Sequence, residues 1–191
     1  HVITANKALM AKHGNFLSHL AEKNDVNLEY EASVAAGIPI VRNIKEGIIA
    51  NKISKLVGIL NGTSNYILSR MEQSGKTFNE ILKEAKKFGY AESNPKSDLN
   101  GADVASKIRI LASLCVHTLI SKNNILVEGI YNIENKDIIN AKKLGYRIKL
   151  LGITEMINKN IFERVHPCLV DIKSYIGNIN GVFNASIINS S

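Results

Sequence analysis

The sequence predicts an α+β fold, a mixed α/β domain in which helices cover a mixed or antiparallel sheet. Three observations carry that expectation. Runs rich in β-branched residues alternate with helical apolar stripes along the chain. Two strand-like runs, Arg147 to Met156 and Ile161 to Val170, are separated only by a turn at Asn158-Lys159-Asn160, so they read as an antiparallel hairpin with one or two bulges. Helices laid on strands and followed late by this hairpin suggest a mixed sheet rather than a doubly wound parallel one. Separately, none of the thirteen glycines forms G-x-G-x-x-G or G-x-x-x-x-G-K-[ST], so no phosphate-cradling loop lies in this chain.

Taken in order, Val2-Ile3-Thr4 is a strand and Ala5 to Ala11 a short helix. Gly14 interrupts it before a second apolar face of Phe16, Leu17, Leu20 and Ala21. Asn27 to Val34 reads as a strand, Gly37-Ile38-Pro39 as a turn, and Arg42 to Ile49 as a helix. Ile53 to Leu60 is a β-branched-rich strand that stops at Asn61-Gly62-Thr63-Ser64. There Thr63 or Ser64 can cap a helix running through Met71. Thr77 followed by Glu80 is a capping box, and Gly89 closes the helix it opens. After a loop broken by Pro95, Val104, Ile108, Leu111 and Cys115 form the apolar stripe of a helix that Asp98 or Asn100 can cap. Ile125 to Tyr131 is a strand, Asn135 to Leu144 a helix closed by Gly145, and a last strand begins near Val182.

At 191 residues, 45% hydrophobic and 21% charged, the composition is that of a globular protein with a real core. No run approaches the roughly 18 apolar residues of a membrane span, and no signal-peptide pattern opens the chain. Cys115 and Cys168 lack metal-ligand spacing and read as reduced thiols of a cytoplasmic protein. The net charge is +7, but the lysines are scattered, there is no Trp, and no nucleic-acid motif appears. That pattern argues against nucleic acid and fits a field that favours a small anionic ligand. His13, His19 and His117 have no metal-ligand spacing, and no G-x-S-x-G is present, which disfavours acyl-enzyme chemistry. Both ends run through strand-like segments, so the chain reads as a piece of a longer protein.

The densest chemistry lies between Gly89 and Lys107. Glu92, Asp98, Asp103 and Lys107 place three carboxylates and one lysine where a polar loop enters the apolar-striped helix. Asp103 and Lys107 are four apart and share a helix face. Read alone, that spacing favours an exposed ion pair worth about 0.3–0.5 kcal/mol. The position argues for more, because Lys107 adjoins the core stripe and Asp103 sits at the positive end of the helix dipole. Such a lysine acts as acid or base if desolvation lowers its pKa, and the neighbouring carboxylate opposes that shift. Glu92 and Asp98 are either solvated loop charge or a grip on a substrate ammonium or hydroxyl. Lys7, following Thr4-Ala5-Asn6 at a strand-to-helix switch, is either a surface lysine or a side chain delivered to a cleft. Asn61-Gly62-Thr63-Ser64 either caps its helix or offers backbone N–H groups to a substrate carboxylate.

Five segments together resemble homoserine dehydrogenase. They are Val2-Ile3-Thr4-Ala5-Asn6-Lys7-Ala8-Leu9; Tyr30-Glu31-Ala32-Ser33-Val34-Ala35-Ala36-Gly37-Ile38-Pro39-Ile40; Gly58 to Leu68, containing Asn61-Gly62-Thr63-Ser64-Asn65-Tyr66; Gly89 to Lys107; and Asn180-Gly181-Val182-Phe183-Asn184-Ala185. The family usually reads Gly-Tyr-Ala-Glu-Ala-Asp-Pro, whereas Ser93-Asn94 precede Pro95 here.

The resemblance implies an NAD(P)-dependent oxidoreductase that reduces L-aspartate 4-semialdehyde to L-homoserine, on the path to threonine and methionine. It implies Lys107 and Lys7 as the acid–base pair, and Gly62, Thr63, Tyr90, Glu92, Asp98 and Asp103 around the substrate. Asn6 and Lys7 would approach the nicotinamide end of NAD or NADP, whose main binding loop lies outside this chain. A sodium ion would be held by backbone carbonyls of Glu31, Val34, Ala36 and Ile38. Residues 1–25 then form the remnant end of a nucleotide-binding domain. Residues 26–191 form a substrate-binding and dimerisation domain truncated at its C-terminus, expected as a homodimer that binds neither nucleic acid nor membrane. As an isolated fragment it is expected to turn over weakly or not at all. The alternative is a non-catalytic dimerisation or substrate-binding module.

Overall fold

The computed structural model describes residues 1–35, 37–116, 125–158 and 160–191. In chain order, β1 (Val2–Ile3) leads into α1 (Lys7–Lys23), which returns to β2 (Leu28–Glu29). β1 and β2 pair in parallel as a small sheet of their own. After α2 (Ile40–Arg42), a π turn at Asn43–Gly47 and β3 (Ile53–Ile59) come α3 (Gly62–Ser74), α4 (Phe78–Lys87), α5 (Lys96–Leu99) and α6 (Ala102–Val116). The rest is β4 (Leu126–Val127), α7 (Asn135–Lys143), β5 (Tyr146–Ile157), β6 (Asn160–Asp171) and β7 (Ala185–Ser190). The main sheet has five strands in the order β4-β6-β5-β3-β7. Among the described residues of this sheet β4 and β6 run parallel and the other neighbours antiparallel, which gives the mixed sheet the sequence predicts.

The two faces of this sheet follow from the register. On β5, Ile148, Leu150, Gly152 and Thr154 face α6. Gly152 makes that approach possible, since a Cβ there would lie 2.9 Å from Val104 and 3.3 Å from Ile108. Leu56, Leu60, Ile67, Met71, Val104, Ile108 and Leu111 are buried in one cluster on this side. Each such side chain contributes about 1.5–3 kcal/mol on burial. The stripe of Val104, Ile108, Leu111 and Cys115 is therefore core, and burial pushes the Cys115 thiol up to about 12, which removes it as a nucleophile. The opposite face carries Val57, Leu151, Ile153, Cys168 and Val170, with Phe162 and Ile187 exposed beside them.

Several expected boundaries move, each for a local reason. α1 runs unbroken through Gly14, because a single glycine costs about 1 kcal/mol in a helix and its bare Cα accommodates Met10. The expected strand from Asn27 to Val34 shortens to β2 and then coils into a 3₁₀ turn at Glu31–Ser33, where the Ser33 hydroxyl donates to the Tyr30 carbonyl at 2.6 Å. The helical segment expected at Arg42 starts two residues earlier, since Glu31 accepts from the N–H groups of Val41 at 2.9 Å and Arg42 at 2.8 Å. Ile125 to Tyr131 pairs only at β4. Gly129 then passes so close to α5 that a Cβ would lie 2.1 Å from the Leu99 carbonyl, and Ile130 donates to that same oxygen.

The hairpin holds a continuous register from Tyr146↔Asp171 to Ile157↔Asn160, without the expected bulge. Asn158 turns it at φ 49°; Lys159 lies outside the described residues. The irregularity falls instead between Ile53 and Lys55 where β3 meets β7. β7 begins at Ala185 rather than near Val182, because residues 179–183 are drawn onto α3. The capping box at Thr77 and Glu80, and the left-handed closures at Gly89 and Gly145, stand as expected.

Candidate active site

Two helix starts and one sheet end converge on a single carboxylate. Asp103, in the first turn of α6, is 3% exposed. α1 packs along α6, and this brings Lys7, the first residue of α1, to Asp103 Oδ1 as an ion pair. Lys107, one turn along α6, donates to Asp103 Oδ2 at 2.7 Å and to the Leu60 carbonyl at the end of β3, also at 2.7 Å. The spacing of four therefore yields a buried pair, not a solvated one. Lys7 is half exposed and Lys107 largely covered, so the two ammonium groups meet the same carboxylate from the solvent side and the core side.

Asn61 completes the arrangement. Its side-chain oxygen accepts from Ser64 N at 2.8 Å, so Asn61, not Thr63 or Ser64, caps α3. Its amide nitrogen donates to Asp98 Oδ1 and to Asp103 Oδ2, both at 2.9 Å. One amide spends its two N–H bonds on two carboxylates and its oxygen on a helix start. The Asn61-Gly62-Thr63-Ser64 stretch signals a helix cap, but nothing in the residues signals that the Asn61 amide also bridges Asp98 and Asp103. Asn100 rather than Asp98 serves the start of α6, accepting from Ala102 N at 3.0 Å.

The two aspartates separate electrostatically. Burial raises Asp103, but Lys107, Lys7 and Asn61 outweigh it and hold the carboxyl below its ordinary value. Burial raises Asp98 too, and there the Asn61 bond and the more distant Lys7 charge do not compensate, because the Asp103 and Glu92 charges push in the same direction as burial. Asp103 is thus a committed anion neutralised by protein. Asp98 carries charge that the protein leaves under-compensated, the condition in which an incoming cation is attracted.

The remaining sequence-predicted residues gather around this core. Gly62 and Thr63 open α3, where first-turn N–H groups have no carbonyl within the helix to meet. Gly62 has no room for a side chain, since a Cβ would lie 2.6 Å from the Val182 carbonyl. Thr63 donates its hydroxyl to the Tyr90 carbonyl at 2.6 Å, which ties the Tyr90–Glu92 loop to the same helix start. The Tyr90 ring packs 4.8 Å from Tyr66, itself held by a 2.7 Å bond to Glu84. Glu92 is exposed, close enough to Asp98 for its charge to be felt there. Asn6 caps α1 by accepting from Leu9 N at 3.0 Å, which fixes the direction from which Lys7 enters.

The expected sodium ligands lie elsewhere in the fold. The Glu31 carbonyl accepts from Val34 N at 3.3 Å and the Ile38 carbonyl from Ile40 N at 2.8 Å, which leaves each a second lone pair. Ala36 lies outside the described residues. Among the described residues no group of three or more His, Cys, Asp or Glu side chains is placed to hold a metal ion.

The family model described as homoserine dehydrogenase matches residues 39–191. The chain belongs to the homoserine dehydrogenase family. It is 45% identical over 190 residues to the homoserine dehydrogenase of Neisseria gonorrhoeae, covering 100% of this chain and 44% of that protein. The crystal structure of a homoserine dehydrogenase from Thiobacillus denitrificans superposes with a TM-score of 0.96 at 43% identity, over 100% of this chain and 44% of its own. A hyperthermophilic archaeal homoserine dehydrogenase in complex with NADPH superposes with a TM-score of 0.84 at 25% identity, over 100% of this chain and 54% of its own. The chain thus spans a little under half the length of the curated relatives it matches.

Replacing Asp103 with Asn leaves two ammonium groups facing each other without their shared anion. In the full-length protein we expect a loss of about 3 kcal/mol in urea denaturation at pH 7, the lower end for a broken buried pair because Lys7 is half exposed. Because the folded-state pKa of Asp103 is depressed, its contribution is complete above the unfolded value of about 3.9 and fades as pH falls through the folded value. The difference between wild type and variant should therefore shrink on acidification below about pH 4; a difference that grows would contradict this assignment.

Proposed function

We propose that this chain is the substrate-binding and dimerisation region of an NAD(P)-dependent homoserine dehydrogenase, converting L-aspartate 4-semialdehyde to L-homoserine for threonine and methionine synthesis. The observation that carries this reading is the pair of lysines held on one buried carboxylate beside an under-compensated aspartate. A zwitterionic amino-acid aldehyde needs three things from its site: an anion acceptor, a cation acceptor and a proton donor for the reacting oxygen. The first-turn N–H groups at Gly62 and Thr63 suit the α-carboxylate. Asp98, with Glu92 near it, suits the α-ammonium.

Lys107 and Lys7 remain for the reacting oxygen. The nicotinamide, when bound, supplies hydride to the aldehyde carbon. As the oxygen gains negative charge, an ammonium beside it stabilises that charge and gives up a proton. Asp103 holds both lysines in position for this, and Lys7 at the exposed side can relay the proton from solvent. In the reverse oxidation the same pair would take up the proton that the hydroxyl gives up. Tyr90, tied to Thr63, forms a wall of the pocket.

We place the cofactor's nicotinamide end at the start of α1. Asn6 and Lys7 lie at a strand-to-helix switch, where the nicotinamide end would approach. No glycine-rich loop is present to grip a pyrophosphate, so we assign that grip to residues outside this chain. The archaeal relative in complex with NADPH supports a nicotinamide nucleotide as the partner. On this reading, β1, α1 and the residues up to 25 are the remnant edge of the nucleotide-binding domain, and residues 26–191 form the substrate-binding and dimerisation domain. A sodium ion on the carbonyls of Glu31, Val34, Ala36 and Ile38 is compatible with their neutral, hard oxygen donors. The free thiols of Cys115 and Cys168 fit a reducing, cytoplasmic setting. No helix among the described residues is long and apolar enough to cross a membrane.

The exposed Phe162 and Ile187, beside the partly exposed Val57 and Cys168 on this sheet face, are the surface we assign to self-pairing, whereas Leu151, Ile153 and Val170 are already buried within the chain. Sedimentation velocity of the chain at micromolar concentration should give a dimer, and a monomer would remove this assignment. A purely non-catalytic pairing module is disfavoured by the buried lysine–aspartate arrangement, which pairing does not need. Lys107→Ala in the full-length enzyme should lower kcat by about 10²–10⁴-fold, the range for removal of a general acid–base group. NADPH affinity should change little. Wild-type kcat in this variant would end the proton-transfer assignment.

A further inference from the structure

Lys149 on β5 is 1% exposed, yet among the described residues no carboxylate bonds its ammonium group. A buried cation without a counter-charge is expensive and persists only where neutral acceptors surround it. Here they do. The ammonium donates to the Ile179 carbonyl at 2.6 Å, to Asn180 Oδ1 at 3.1 Å and to Asn65 Oδ1 at 3.1 Å, so its three N–H bonds are matched. Ser69 Oγ lies further off at 3.5 Å. Burial, reinforced by Arg147 and only partly offset by Glu72, pushes this lysine down to about 8. Cys168 stands opposite on β6.

The acceptors have a common feature: they sit on α3 or on the segment that follows β6. Arg147, on the same face of β5, grips the preceding residues of that segment, donating to the Gly177 carbonyl at 3.0 Å and to Asn178 Oδ1 at 2.8 Å. Its Nε bonds Glu72 of α3 at 3.0 Å. Two cations one pleat apart thus bind four consecutive residues, 177–180. Asn65 then continues the attachment, donating to the Ile179 and Phe183 carbonyls at 3.2 Å each. The Gly181 N–H donates to Ser69 Oγ at 3.3 Å. At the end of this line the Val182 carbonyl packs against Gly62, the first residue of α3. The segment therefore flanks the helix start whose cap, Asn61, holds Asp98 and Asp103.

We propose that Lys149 is a positioning residue for the substrate site, its ammonium mooring segment 177–183 against α3 and so fixing the wall beside Gly62 and Thr63. The inference rests on the functional reading above, in which that helix start receives the substrate carboxylate. Lys149 touches neither substrate nor cofactor; it acts through the segment. Loosening the segment should therefore weaken substrate capture more than the chemical step, and should leave the nucleotide grip, which lies outside this chain, unaffected.

The test uses the full-length enzyme assayed with L-homoserine. Lys149→Met should raise KM for homoserine about tenfold, since a displaced wall misplaces the substrate, with kcat and the NADPH dissociation constant each within about twofold. Asn180→Ala removes one acceptor on the segment and should raise KM about threefold, the scale of one net hydrogen bond. Asn180→Asp restores an acceptor and adds a counter-charge, so KM should stay within about twofold of wild type. If Lys149→Met does not fold, the two Asn180 variants decide alone: a KM raised by Ala and spared by Asp supports the mooring, and equal effects overturn it. Unchanged KM in folded Lys149→Met overturns it as well, as does a fall in kcat with KM unchanged. If wild-type enzyme does not oxidise homoserine at all, the functional reading fails before this inference is reached.

Discussion

The carboxylate of Asp103 is the point on which this structure turns. It lies in the core side of a helix start, where an unpaired charge would cost several kcal/mol, and it is tolerated because three groups from three different places meet it. Lys107 comes from its own helix, Lys7 from the start of α1, and Asn61 from the end of β3. Each of these elements is fixed by something other than the carboxylate. α1 packs on α6, α6 settles onto the sheet over Gly152, and Asn61 caps α3. The charge cluster is therefore a consequence of packing, and the packing in turn sets two ammonium groups on one carboxylate, Lys7 half exposed and Lys107 largely covered.

The asymmetry between the two aspartates follows from the same geometry. Asn61 joins them, but only Asp103 is ion-paired with lysines; Lys7 acts on Asp98 through its charge alone. Two carboxylates sharing one amide in a partly buried site cannot be equally at ease, and the cation-poor member is left to seek charge from outside. On the proposed function, this division separates the residue that holds the two lysines from the one offered to the ligand. It also explains why a chain with a net charge of +7 presents a site with local negative character: the excess lysines are spread elsewhere on the surface.

Much of this was legible in the residues. The mixed sheet, the capping box at Thr77, the core stripe through Val104 and Leu111, and the left-handed closures at Gly89 and Gly145 follow from local periodicity and turn chemistry. The cluster of Glu92, Asp98, Asp103 and Lys107 is visible as a gathering of charge, and the five matched segments give its family. What periodicity does not carry is contact between distant segments. That Lys7 meets Asp103 depends on α1 lying along α6, and that Asn61 bridges two aspartates depends on where β3 ends. The shortened strands at β2 and β4 have the same origin, because Glu31 and Gly129 are engaged by segments remote in sequence. Lys149 looks like any strand lysine until the fold shows that every group it bonds is neutral.

A site built on one committed anion makes a direct claim about protonation. Carboxyl ¹³C titration of the full-length protein, with Asp98 and Asp103 assigned by their Asn variants, tests it most directly. The account predicts that Asp103 titrates below the ordinary aspartate value of about 3.9 and Asp98 above it. An Asp103 that titrates at or above that value, or below which Asp98 falls, would contradict the picture of one carboxylate holding two lysines.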